Sequence, residues 1–208
     1  MDKKYWKNYY KIKNAPLQAS LFAQFVLENY IKEKNSLLEL GCGNVRDSFL
    51  FIYHVVDVLA VDQCENEISV LAEKNNIPNL KFMCADFTKL GEIGFFDNVY
   101  SRFTLHSITE KEEDDVIKWT YEHIENNGKL LIETRGKKNE IYKLGDPVHG
   151  EPDAYIYEGH FRRFIDIDRL HKKLIKAGFE VVFKEEKSGF APFGDTDYTF
   201  IRVIAVKK

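Results

Sequence analysis

The chain is expected to fold as an α/β domain whose mostly parallel sheet carries helices on both faces. Three observations lead there. Short apolar runs bounded by turn residues alternate with segments of helical period, as successive βαβ units require. Two glycines, Gly41 and Gly43, stand where the first apolar run ends. The last part of the chain breaks the alternation and finishes on two strand-like runs with no helix between them.

The first strand is predicted at residues 36–40, the second at 55–61 and a short third at 80–83. A fourth is predicted at 96–101, and a fifth at 129–134 after the turn Asn126-Asn127-Gly128. Helices are predicted over 45–53, 65–75 and 110–124. The last of these opens with Thr109 followed by Glu110, Glu112 and Glu113, and a threonine cap with an acidic first turn suits a helix N-terminus. Residues 166–177 read as an amphipathic helix stopped by Gly178. Residues 180–185 and 199–206 then form an antiparallel pair, joined by a loop holding Gly189, Pro192, Gly194 and Asp195. A dinucleotide-binding fold would more often end on another crossover helix.

A length of 208 residues suits one domain with a sizeable core, so 1–208 is read as a single unit. Hydrophobic residues make up 44% and charged residues 30%, with a formal net charge of -3. That balance argues against broad nucleic-acid binding, which shows a basic excess. No apolar run approaches the roughly 18 residues a membrane span needs, and the N-terminus lacks the apolar core of a signal peptide. The three cysteines, Cys42, Cys64 and Cys84, are odd in number and lack metal-ligand spacing. The expectation is a cytoplasmic protein without disulfides or a metal site.

In open parallel sheets, ligands settle beyond the carboxyl ends of the strands, where strand order reverses. The first strand ends in Glu39-Leu40-Gly41-Cys42-Gly43-Asn44, and glycines there admit a ligand close to the backbone. The second strand ends at Asp62, 21 residues beyond Gly41, where a carboxylate can accept from both ribose hydroxyls of an adenosine. Asp62 could instead cap the next helix. The dinucleotide fingerprint needs a third small residue three positions after Gly43, but that position is Arg46. Glu39 would repel a pyrophosphate and suit a positively charged amine. S-adenosylmethionine has that amine, an adenosine ribose and no phosphate.

Leu37-Leu38-Glu39-Leu40-Gly41-Cys42-Gly43 resembles the first motif of class I S-adenosylmethionine-dependent methyltransferases. Asp62 matches their ribose acid, with Gln63 beside it. Cys84-Ala85-Asp86-Phe87 resembles the segment in which an acid reads the adenine amine and an apolar neighbour packs on the ring. Asp86 could equally be a turn acid, and Phe87 a core residue. The stretch from Phe96 to His106 resembles the fourth motif, at the floor of the methyl-transfer site, and places Ser101 and Arg102 with the cofactor. Glu125 to Ile132 resembles the turn and fifth strand that follow. The resemblance implies a Rossmann-like seven-stranded sheet with an antiparallel final strand. Its product would be S-adenosylhomocysteine.

The acceptor side is read from three places. His106 leaves the fourth strand towards the methyl group as a candidate base or a core histidine, and Arg102 is a cofactor residue or a partner for the acidic run 110–115. The connection 136–164 is long enough to be a binding insertion. It holds His160, the first choice for a base, and Tyr157, Arg162 and Arg163. Arg135 with Arg162 or Arg163 could clamp a phosphate or carboxylate, because guanidinium forks match those oxygens. Residues 1–30 read as an N-terminal lid or helical segment, with Tyr5, Trp6, Tyr9 and Tyr10 over the site and Gln18 or Ser20 at the methionyl end of the cofactor; docked apolar surface is the alternative. This segment resembles methyltransferases of bacterial surface-polysaccharide pathways, which methylate sugars or phosphate-containing groups. The expected function is O-methylation of a small polar, anionic acceptor such as a capsule precursor. N-methylation of a small molecule and a non-catalytic cofactor-binding subunit are the alternatives. The oligomeric state is not encoded in these features.

Overall fold

A computed structural model describes residues 17–208. The aromatic run Tyr5 to Tyr10 lies outside the described residues. The chain alternates α1 (Leu21–Asn29), β1 (Ser36–Leu40), α2 (Arg46–Tyr53), β2 (Asp57–Asp62), α3 (Glu65–Lys74) and β3 (Leu80–Cys84). It continues through β4 (Phe96–Arg102), α4 (Glu110–His123) and β5 (Ile124–Arg135). Three short strands follow, β6 (Asp146–Pro147), β7 (Ala154–Tyr157) and β8 (His160–Arg163). Then come α5 (Ile167–Ala177), β9 (Phe179–Lys187) and β10 (Phe200–Lys207).

The main sheet has seven strands in the order β3-β2-β1-β4-β5-β10-β9. All but β10 run parallel, and β10 pairs antiparallel with both β5 and β9. This is the Rossmann-like arrangement expected, with the antiparallel final strand inserted between its neighbours. Strand order reverses between β1 and β4, which opens a crevice beyond their carboxyl ends.

Side-chain alternation divides the core between the two faces. Leu38, Leu40, Val99, Ile132 and Val203 pack with Val116, Ile117, Leu170 and Leu174. Leu37, Tyr100, Leu131 and Ile204 pack on the other side with Phe22, Val26 and Phe51. Glu39 follows Leu37 at the strand period, so it faces α1 and α2.

Local chemistry fixes the elements. Thr109 and Glu112 form a reciprocal capping box on α4. Asp166 caps α5 through the amides of Asp168 and Arg169, and Gly178 ends it at φ 108°. A Cβ at Gly178 would come within 2.6 Å of the Tyr121 ring.

Two expected boundaries move. The second strand starts at Asp57, because Val55 takes a left-handed turn at φ 59°. The fifth starts at Ile124, and the expected turn at residues 126–128 is an irregularity inside it, where the register against β4 shifts. Gly128 is required there, since a Cβ would lie 2.7 Å from the Glu125 carbonyl oxygen and 2.8 Å from that of Asp97.

The long connection expected as a loop is instead built around the antiparallel sheet β6-β7-β8. It has a small aromatic cluster of Tyr142, Tyr155 and Phe164. Among the described residues no helix is long and apolar enough to cross a membrane.

Candidate functional site

The crevice beyond β1 begins with two glycines in the left-handed region, Gly41 at φ 70° and Gly43 at φ 54°. The amides of Gly41 and Cys42 both donate to the Val61 carbonyl, at 2.8 and 2.9 Å, which turns the chain sharply over the end of β2. A Cβ at Gly41 would stand 2.6 Å from Thr104 Cγ2, so the loop is a closely fitted cradle. Val45, a β-branched residue, completes it at φ 57°, a conformation such side chains rarely adopt. Asp62 braces the loop: Oδ2 accepts from the Gly43 amide at 3.1 Å and Oδ1 from the Cys64 amide at 2.9 Å. The ribose acid and the glycine loop predicted from sequence are thus one hydrogen-bonded unit. Cys64 rather than Asp62 occupies the cap position of α3.

Glu39 is 5% exposed and accepts from the Ser48 hydroxyl on α2. Burial, with Asp47 next in weight, pushes its carboxyl up to about 8, and Arg102 opposes the shift. Such a carboxyl gains most from a cation that enters with a ligand. Beside Asp62, the Gln63 side-chain Nε2 is buried without a hydrogen-bond partner among the described residues. A buried donor left unsatisfied is costly, and a ligand acceptor would relieve it. Glu39, Gln63 and the Gly41 cradle therefore suit a ligand with an amine and a heteroatom-rich nucleoside.

Asp86 accepts from both the amide and hydroxyl of Thr88 through Oδ1, opening a short 3-10 turn. Its turn role is real, and no described residue donates to Oδ2. Phe87 packs within the core at 4% exposure, alongside Leu90 and Ile93, so the structure places it as a core residue. Ser20 lies close to the crevice, but its bonding is internal. Its amide and hydroxyl donate to the Asp47 carboxylate at 2.7 and 2.8 Å, and its hydroxyl also accepts from Ala23 to cap α1. Tyr100 donates to the same carboxylate at 2.8 Å. Ser20 therefore docks α1 against α2, and Gln18 uses its carbonyl to accept from Arg46.

At the end of β4, the Ser101 hydroxyl bonds that of Thr104. Arg102 does not reach the acidic run of α4. It donates through Nε to Glu133 on β5 at 2.9 Å and lies over the Phe103 ring. Glu110, Glu113 and Asp114 instead pair with Arg163, Arg169 and Lys173.

On the acceptor side, His106 sits in a short 3-10 turn, 5% exposed, with Nδ1 3.4 Å from the Thr134 hydroxyl. Burial lowers its pKa well below the ordinary value, and Arg135, His160, Arg162 and Arg163 add to the effect. The imidazole is therefore neutral at pH 7. His160 begins β8 and is also buried, at 3% exposure. The insertion thus brings both candidate bases and the arginines into one electropositive neighbourhood. Arg135 donates to the Asn139 side chain and lies over the Phe200 ring. Arg162 donates to the Tyr157 carbonyl and lies over the Tyr157 ring, with no carboxylate partner among the described residues.

Arg163 departs from expectation. It is buried, donates to the carbonyls of Leu105 and Ile108, and pairs with Glu113. A guanidinium so occupied is an anchor for the insertion, not one arm of an anion clamp.

Sequence reasoning missed Asp47, Ser48, Tyr100, Glu133 and Arg202. Of these only Tyr100 falls within a stretch that resembles a motif, the one from Phe96 to His106. Asp47 and Ser48 could have been suspected from their place in the turn after the glycines. Glu133 and Arg202 become visible only through strand register. Among the described residues no group of three or more His, Cys, Asp or Glu side chains could hold a metal ion.

Residues 37–128 match a family model described as a methyltransferase domain. A malonyl-[acyl-carrier protein] O-methyltransferase of Bacillus anthracis is 28% identical over 104 residues, covering 49% of this chain and 38% of that protein. The chain thus matches little more than a third of the length of that curated relative. Among solved structures, the CcbJ methyltransferase from Streptomyces caelestis superposes with a TM-score of 0.75 at 18% identity, covering 100% of both chains. The glycopeptide N-methyltransferase MtfA, solved with S-adenosylmethionine, gives 0.67 at 18% identity, covering 92% of this chain and 95% of its own. Residues 37–128 are thus similar to a methyltransferase domain, and MtfA, which shares the fold, was solved with S-adenosylmethionine and with S-adenosylhomocysteine.

Proposed function

We propose that the chain transfers a methyl group to an oxygen of a small anionic acceptor, a carboxylate or a phosphate-bearing sugar. The observation that carries this reading is the pair of buried histidines, His106 and His160, with Arg135 and Arg162 close enough to act on His106. The O-methyltransferase named above acts, by its name, on a malonyl group, which ends in a carboxylate. A capsule precursor with a sugar phosphate belongs to the same acceptor class.

S-adenosylmethionine supplies an electrophilic methyl group on a sulfonium. The chain's own residues do the rest. Glu39 holds the cofactor's amine, Asp62 its ribose hydroxyls, and Gln63 and Asp86 its base. Arg162 and Arg135 fix the acceptor's anionic group, so that its oxygen is held in line with the methyl group; such alignment supplies much of the rate of a displacement. An anionic oxygen needs no general base. For a hydroxyl acceptor, neutral His106 or His160 could take the proton at a ring nitrogen. The short turn after β4 and the insertion docked against it would close the reacting end and exclude water.

The test is methyl transfer from methyl-labelled S-adenosylmethionine to a panel of carboxylic acids, sugar phosphates and amines. Label in base-labile esters of the acids or in phosphate-bearing sugars is the expected result. Label confined to amines would overturn the reading. With an active acceptor, Arg162→Ala should raise KM about tenfold or more, the scale of a lost charge-assisted hydrogen bond, while the affinity for S-adenosylhomocysteine stays near wild type.

A further inference from the structure

Arg102, Glu133 and Arg202 lie directly opposite one another across β4, β5 and β10. Glu133 is fully buried and each of its oxygens takes one guanidinium: Oε1 accepts from Arg102 Nε at 2.9 Å and Oε2 from Arg202 Nε at 2.7 Å. Two guanidiniums on one carboxylate leave one positive charge over. Its position follows from the two environments. Arg202 is enclosed by the rings of Phe22, Phe25 and Phe190, at 5.2, 5.2 and 4.1 Å, and donates through Nη2 to the Phe190 carbonyl. Arg102 keeps 15% of its side chain exposed, and no described residue accepts from its Nη groups. The surplus charge therefore faces the crevice at Arg102.

Glu39 sits on the same face of the sheet. It lies opposite Tyr100, and Arg102 is the next residue of β4 to project on that face. One buried acid and one aimed guanidinium stand at the carboxyl ends of adjacent strands, an arrangement complementary to the zwitterion of an α-amino acid.

We propose that Glu133 is a positioning residue that aims Arg102 at the carboxylate of the cofactor's amino-acid end, and that Arg202 prevents Glu133 from cancelling Arg102's charge. This rests on the S-adenosylmethionine reading of the crevice. Neither Glu133 nor Arg202 touches the cofactor; both act through Arg102.

Calorimetry with two probes tests it: S-adenosylhomocysteine, which has the amino-acid end, and 5′-methylthioadenosine, which lacks it. Arg202→Met leaves Glu133 free to neutralise Arg102, and should weaken S-adenosylhomocysteine about tenfold while methylthioadenosine changes less than about twofold. Glu133→Gln with Arg202→Met restores the surplus charge and keeps an acceptor for Arg102 Nε, so affinity should return to within about threefold of wild type. Glu133→Ala with Arg202→Met restores the charge without the acceptor and should not recover. A merely structural ladder would weaken both probes in parallel, or lower the melting temperature with no change in their ratio; either result overturns the proposal. Should Arg202→Met not fold, Arg102→Met at the exposed end gives the same comparison, and an unchanged ratio of the two affinities overturns it there. Wild-type protein that binds neither probe would remove the cofactor reading itself, and the proposal with it.

Discussion

On the proposed role of Glu39 as the holder of the cofactor's amine, one side chain couples cofactor binding to pH. Its folded-state pKa of about 8 exceeds the ordinary carboxylate value of 4.5, so between those values the folded protein holds a proton that the unfolded chain releases. Stability of the cofactor-free protein should therefore fall as pH rises through that window, because the unfolded state binds fewer protons. An arriving ammonium favours the ionised carboxyl. Binding S-adenosylmethionine at pH 7 should then expel close to one proton, readable from calorimetry in buffers of different ionisation heat. Glu39→Gln should abolish that release and weaken binding. Gly41 sets a steric limit nearby. Gly41→Ala places a methyl 2.6 Å from Thr104 Cγ2 at a φ of 70°, and should cost about 1–2 kcal/mol in backbone strain alone. Adding Thr104→Ser removes the clashing carbon but not the strain. Partial recovery of cofactor affinity in that double variant would separate the two effects; full recovery would mean that the backbone term is negligible.

Among the elements, the β6-β7-β8 insertion carries residues proposed to bind the acceptor but is held by one that resembles them in sequence. Arg162 and Arg163 are neighbours on β8, and strand alternation sends them to opposite sides. Arg163 enters the buried pair with Glu113, which also holds Lys173 at 2.8 Å. Arg163→Met should lower unfolding stability by about 3 kcal/mol in urea titrations, since it breaks a buried pair and leaves Glu113 with Lys173 alone. Arg162→Ala should leave the same transition within about 0.5 kcal/mol, as substitutions away from buried networks do. Equal losses in the two variants would show that the insertion is anchored through both arginines.

At the scale of the whole molecule, the cofactor crevice joins parts of the chain that fold from distant segments: the ends of β1, β2 and β4, with α1 docked over them through Ser20 and Asp47. A ligand that binds only this assembled state stabilises it by mass action. S-adenosylhomocysteine at one hundred times its dissociation constant should add about 2.7 kcal/mol, raising Tm by about 5–10 °C for a chain of this size. An unchanged Tm would mean that the crevice is not where the ligand binds.

The sequence by itself determined the sheet, its helices and the position of the glycine loop proposed to hold the cofactor. Those features are written in local signals: alternation of apolar runs, glycines at the end of β1, Asp62 at the end of β2, and the missing crossover before β10. It also singled out Arg135, Arg162, His106 and His160, which the fold brings near one another, because chain order in a parallel sheet already limits which strand ends meet. Tertiary structure decided what each polar side chain does once there. Arg102 read as a cofactor residue or a partner of the acidic run and Arg163 as an arm of an anion clamp, yet Arg102 pairs with Glu133 and it is Arg163 that pairs with the acidic run and anchors the insertion. Ser20 and Phe87 each had a ligand reading and a packing reading in sequence, and the structure shows the bonds of Ser20 docking α1 and Phe87 in the core. The physical reason is that a side chain's role depends on which partner takes its hydrogen bonds first. For Glu133 and Arg202 that partner is set by cross-strand register, a relation between residues 31 and 100 positions away from Arg102 that no local pattern records.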